Sequence, residues 1–149
     1  SDKGGHDRYW PREAPARALA YAMAAEMHSG FAPLRRECPM NLKERFPNFV
    51  ASDEVRADVA RIDALWTEAR RAYGSETDLP WLFGPFSAAD IMFAPVVTRI
   101  DSYHLPVSPT ARAYVDAMLG HPWLAEWTAA ARAETFPFDR YPIPGGVPA

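Results

Sequence analysis

The sequence predicts an all-α fold of five or six helices packed around one buried helix. Three observations carry this. Apolar residues recur every three or four positions in window after window. No run alternates apolar and polar residues with a period of two. One segment, Phe86 to Pro95, holds a complete helix-start signal. In it Ser87 is the N-cap, its hydroxyl placed to accept from the amide of Asp90, and Asp90 can reach back to the amide of Ser87. Phe86 and Ile91 are placed for a hydrophobic staple. Ile91, Met92, Phe93, Val96, Val97 and Ile100 then cover every side, which predicts a core helix from about Ala88 to Tyr103. Pro95 removes the bond to the carbonyl of Ile91 and predicts a bend.

The other elements follow in order. Between residues 12 and 36, Leu19, Met23, Met27, Phe31 and Leu34 recur at helical spacing, with Ala16, Ala20 and Ala24 on a second face. This predicts one long amphipathic helix, kinked at Pro33. Cys38 to Val50 reads as a connection. Ser52 caps a helix carrying Val55, Val59, Ile62, Trp66, Ala69 and Tyr73, which Gly74 stops. Trp81, Leu82 and Phe83 form an apolar plug in the loop 75–86. Ser108-Pro109 opens a helix with Tyr114, Val115, Met118 and Leu119 as its stripe, and Gly120 ends it. Pro122 opens a last helix with Trp123, Leu124, Trp127 and Ala131. Residues 1–9 read as a linker or an appended remnant, 10–136 as the helical domain, and 137–149, with Pro142, Pro144 and Pro148, as an irregular tail.

Composition bounds the function. The 149 residues suffice for one domain with a real core, and 48% of them are hydrophobic, which excludes a disordered chain. The net charge is −3 and no basic stripe interleaves with aromatics, which argues against nucleic acid. No stretch of about eighteen apolar residues suggests a membrane span, and no secretory segment opens the chain. Cys38 is the single cysteine, so no intrachain disulfide forms, and a reducing, cytoplasmic setting is expected.

The Ser-x-Ala-Asp box with its staple, opening a buried proline-bearing helix, resembles the sixth helix of the glutathione transferase superfamily. Trp10-Pro11 through Leu34-Arg35, with Met27-His28-Ser29-Gly30-Phe31 inside, resembles the first long helix of that family's C-terminal domain. Pro80 to Ser87 resembles the turn before the buried helix, and His121 to Trp127 the family's late helix. The resemblance covers about residues 10 to 136.

The resemblance implies a C-terminal helical domain that contributes the hydrophobic acceptor-substrate wall and dimer surface for glutathione conjugation. Glutathione would be the co-substrate, and a hydrophobic small-molecule electrophile the acceptor. A thioredoxin-like half would bind glutathione and carry the catalytic group. No βαβ pattern precedes residue 10, so no catalytic residue is assigned, and the chain alone is expected to be inactive. Met23, Met27, His28 and Phe31 are the wall candidates. A protein-docking module and a stand-alone helical ligand binder remain alternatives.

Each candidate also has a plainer reading. His28 is either a cleft residue or a partly buried histidine satisfied by a carbonyl or carboxylate. Asp90 is explained as structure by Ser87. Cys38 follows a helix C-terminus, where the dipole raises its pKa, which favours a structural thiol. Arg35-Arg36 and Arg70-Arg71 could hold an oxyanion or simply cap helix C-termini. The four histidines show no metal spacing with each other or with Cys38, so no metal is expected. With the other half absent, Trp10, Leu19, Met23, Met27 and Phe31 would form an exposed apolar patch and drive self-association, most simply as a homodimer.

Overall fold

A computed structural model of the chain describes residues 9–135 and 143–149. Six helices make up its body: α1 (Ala14–Ser29), α2 (Ala32–Glu37), α3 (Asp53–Ala69), α4 (Ala88–Ser102), α5 (Pro109–Leu119) and α6 (Pro122–Ala133). A π-helical turn, Arg70–Gly74, continues α3. Two two-residue strands, β1 (Glu44–Arg45) and β2 (Val147–Pro148), pair antiparallel. The fold is all-α, as expected. No helix among the described residues is long and apolar enough to cross a membrane.

α4 packs between α1 and α5, and α3 packs against α1, α2 and α5. The core they enclose is continuous. At its centre the Trp66 ring meets Phe93 and Tyr114 edge-on, with centroids 5.6 and 4.8 Å away. Local chemistry starts the helices where the sequence places them. The Ser52 hydroxyl accepts from the amide of Val55, and that of Ser108 from the amide of Ala111. Asp63 of α3 then accepts from the Ser108 hydroxyl at 2.7 Å, which ties α3 to the start of α5.

The expected helix over 12–36 is two helices, and the break lies at Gly30-Phe31 rather than at Pro33. Phe31 adopts left-handed backbone, φ 59°, and Pro33 lies within the first two positions of α2. A proline there gives up only an amide that has no intrahelical partner, so the chain breaks before it and avoids the clash an unbroken helix would impose. A Cβ on Gly30 would lie 2.7 Å from the carbonyl oxygen of Glu26, so glycine is required by close approach. No side chain at Phe31 caps α2. Asp58 of α3 does so instead, accepting from the amide of Leu34 at 3.0 Å.

Three further differences concern exposure and the ends. α4 is not enclosed on every side, because Ile91 is 46% exposed. On α6 only Leu124 is buried, while Trp123 is 60% exposed and Trp127 39%. The expected apolar patch on the first helix is absent: Met23, Met27 and Phe31 are buried, and Trp10 and Leu19 pack against the core. The helix break makes this possible, because α1 and α2 each turn an apolar face inward. Of the expected irregular tail, 137–142 lies outside the described residues, as do residues 1–8 of the expected linker. The described end is fastened by β2, and Ala149 donates its amide to the carbonyl of Lys43 at 3.0 Å.

Candidate functional site

Several segments of the chain meet at the start of α4. Asp90 is fully buried. Its Oδ2 accepts from the amide of Ser87 at 2.8 Å and from the Ser87 hydroxyl at 3.0 Å. Its Oδ1 accepts from the amide of Leu82 and from the hydroxyl of Tyr114, both at 3.1 Å. Ser87 and Asp90 thus form the expected capping box. The structure adds two donors from distant segments that the sequence did not reveal. Burial raises the carboxyl pKa of Asp90, against the four hydrogen bonds that lower it. Burial, the Asp90 charge and the shared hydrogen bond hold the Tyr114 hydroxyl well above the ordinary phenol range.

A cleft of about 1090 Å³ opens beside this point. Its walls come from four places: the segment Tyr9–Glu13, the first turns of α1, the end of the α3 extension at Tyr73 and Glu76, and the loop 83–87. The carbonyl of Tyr9 accepts from the amide of Ala88 at 2.6 Å, so a tertiary carbonyl satisfies a first-turn amide of α4. The same bond fixes the rim of the cleft to the capping box. Trp10, Tyr73, Phe83 and Phe86 supply aromatic surface, and Arg12, Glu13, Arg17 and Glu76 supply charge. Gly74 lets the loop close over the end of α3, since a Cβ there would meet the carbonyls of Trp81 and Leu82 at 3.0 Å. Arg70 donates from one nitrogen to the carbonyls of Leu79 and Trp81, both at 2.7 Å. Next to the cleft, Phe86 stacks on His121 with centroids 4.1 Å apart, and Trp81 and Trp123 meet the pair edge-on.

The other candidates fall elsewhere. Met23, Met27 and Phe31 come together in the core, while His28 is exposed on the outer side of α1. None of the four lines the cleft. Arg35 caps the end of α1 through the carbonyls of Gly30 and Met27. Cys38 is buried, and burial with the nearby Glu37 charge pushes its thiol up to about 12. Among the described residues no group of three or more His, Cys, Asp or Glu could hold a metal ion. The sequence reading flagged Trp10, Tyr73, Phe83, Phe86 and Ser87 one by one, but not as walls of one cleft, and passed over Arg12, Arg17 and Glu76.

The family model described as "Glutathione S-transferase, C-terminal domain" matches residues 22–130. The chain belongs to this family. The match runs from the middle of α1 to near the end of α6, and so takes in the capping box, the α3 extension and the closing loop. The elements of this glutathione transferase C-terminal domain that pack against α4, namely α1, α5 and β1, lie inside the match or overlap it. No curated protein matches the sequence.

Proposed function

We propose that this glutathione transferase C-terminal domain works as the helical half of a glutathione-conjugating protein in the cytoplasm. It supplies acceptor-side surface to a thioredoxin-like half that binds glutathione. The family match over residues 22–130 carries the reading. Two features of the chain support it. The segment leading into α1 is tethered at Tyr9 to the start of α4, so a preceding half would leave the helices at the rim of the cleft. The cleft has the mixed aromatic and charged lining that an apolar electrophile and a polar co-substrate would share. In this reading the acceptor wall is the aromatic side of the cleft, Trp10, Tyr73, Phe83 and Phe86, rather than Met23, Met27, His28 and Phe31, none of which reaches it. A homodimer belongs to the same reading, although the apolar residues expected to hold it are packed inward.

The one thiol of the chain, Cys38, is buried and held in its neutral form, and a glutathione thiolate needs preorganised donors to be favoured over the thiol. The purified chain should therefore leave conjugation of glutathione to an aryl halide at the uncatalysed rate, while a protein joining it to a thioredoxin-like half should turn over. Turnover by the chain alone, abolished by one substitution within it, would overturn the reading. A docking role is the second reading. It is favoured by Trp123 and Trp127 of α6, two large apolar side chains that remain exposed. Loss of a protein partner on Trp123→Ala, with conjugation by the joined protein unchanged, would support it.

A further inference from the structure

The start of α6 is held differently from the starts of α3, α4 and α5. Those three are capped by serine hydroxyls, which do not titrate near neutral pH. α6 is capped by an imidazole: Nδ1 of His121 accepts from the amide of Trp123 at 3.3 Å. Pro122 precedes Trp123 and has no amide, so that of Trp123 is the first donor of the helix. A ring nitrogen that accepts carries no proton, which places the proton of the neutral ring on Nε2. Only Leu124 is buried along α6, and the far end is tied by Arg132, which donates to the carbonyl of Leu42 at 3.1 Å. A helix with so little buried surface depends on its cap more than one with a long buried stripe.

The same imidazole has a second set of contacts. It stacks on Phe86, with ring centroids 4.1 Å apart and planes within 13°. Trp81 and Trp123 meet it edge-on, each at 5.4 Å. The loop 81–86 carries no charged residue. Arg112 and Asp116 of α5 pair with each other at 3.9 Å, and Glu126 lies further along α6. Among the described residues no carboxylate forms an ion pair with His121.

Acid acts on the two sets of contacts differently. Protonation puts a hydrogen on Nδ1, which then donates and no longer accepts from Trp123. It also sets a positive charge at the positive end of the helix dipole. The stack has no such loss, because a cation over an aromatic face is attracted to it. We propose that His121 is an acid-sensitive latch: neutral, it holds the first turn of α6 with Trp123, and protonated, it releases that turn while staying on Phe86. The latch is built from this chain's own residues and does not rest on the transferase reading.

Amide NMR of the full chain between about pH 8 and pH 5 tests it, with the His121 ring protons marking their own titration. The Trp123 amide shift is expected to move with that titration. Ala125 donates its amide to the carbonyl of His121 at 3.0 Å. Its hydrogen-exchange protection should fall about fivefold across the titration, the size of one lost cap. His121→Asn keeps an acceptor and cannot titrate, so its first turn should stay protected throughout. His121→Ala should show the low protection at both ends of the range. Should His121→Asn fail to form α6, the Trp123 shift in the unmodified chain still decides. A Trp123 amide indifferent to the His121 titration, a loss of the same size in His121→Asn, or a ring that stays neutral until the chain unfolds would each overturn the proposal.

Discussion

Asp90 shows how one side chain can join three segments. As a cap alone it would be worth about 0.5–2 kcal/mol. The structure makes it the acceptor for Leu82 and Tyr114 as well, so truncation also leaves two distant donors unpaired in the core. Each buried orphan costs about 1–3 kcal/mol. Asp90→Ala should therefore lower stability by at least about 2.5 kcal/mol, the low end of that sum, in denaturant melts, and a loss within the range of a cap alone would mean the Tyr114 and Leu82 bonds contribute little. Cys38 makes a second prediction, about pH. Its thiol is pushed up to about 12 in the fold, against 9.0 for the free group. A raised folded value means the stabilisation is fully present below pH about 9 and is lost as pH rises through about 12. Unfolding free energy should fall over that window, and Cys38→Ala should remove that part of the slope. At pH 8 the native thiol should resist alkylation and react once the chain unfolds.

Helix starts were legible in the sequence because they are local. Ser52, Ser87 and Ser108 cap helices through residues three positions away, and the structure places all three helices as read. Helix ends were less legible, because here they use residues that ordinarily avoid the conformation. After α4, His104 sits at φ 51°, while Leu105 donates to the carbonyl of Ile100 at 3.0 Å and His104 to that of Asp101 at 3.2 Å. This is the two-bond C-terminal motif that glycine usually closes. The Gly30-Phe31 break is similar, with the left-handed residue being phenylalanine and the glycine serving close approach. Exposure was illegible for a different reason. Periodicity shows which residues share a face but not whether another element covers it, so Ile91 read as core and lies at the surface. The π-helical end of α3 left no signal, since it depends on the loop carbonyls that pack against Gly74. His104 is exposed, so its side chain gives up little packing. His104→Gly should stabilise the chain by about 0.5–1 kcal/mol by relieving the left-handed strain. A thermal melt showing the substitution to be destabilising would mean the imidazole makes a contribution of its own.

At the scale of the whole molecule, the candidate cleft was illegible because four segments far apart in sequence build it, and no single window carries its pattern. The same holds for the way the chain closes on itself. β1 lies in the connection after α2 and β2 near the last residue, yet they pair. Between them and α4 lies Phe46, which is buried and stacks on Tyr103 with ring centroids 4.5 Å apart and planes within 9°. Its amide donates to the carbonyl of Ser102 at 2.7 Å, so it locks the connection to the end of α4. A Cβ on Gly146 would come within 2.9 Å of the Phe46 ring, which means the tail backbone itself is part of the ring's cover. Ile143 packs against the core beside it. Full burial of an aromatic or aliphatic side chain is worth about 1.5–3 kcal/mol, and the tail supplies only part of that for Phe46 and Ile143. Ending the chain at Pro142 should therefore cost about 1–3 kcal/mol and leave the six helices formed. Hydrogen exchange should then quicken at Phe46 and Lys43 before it does in α3 or α5. A truncated chain as stable as the full one would show that the strand pair is an ornament on the helical body, and loss of all helical signal would show that the last seven residues are part of the folding core.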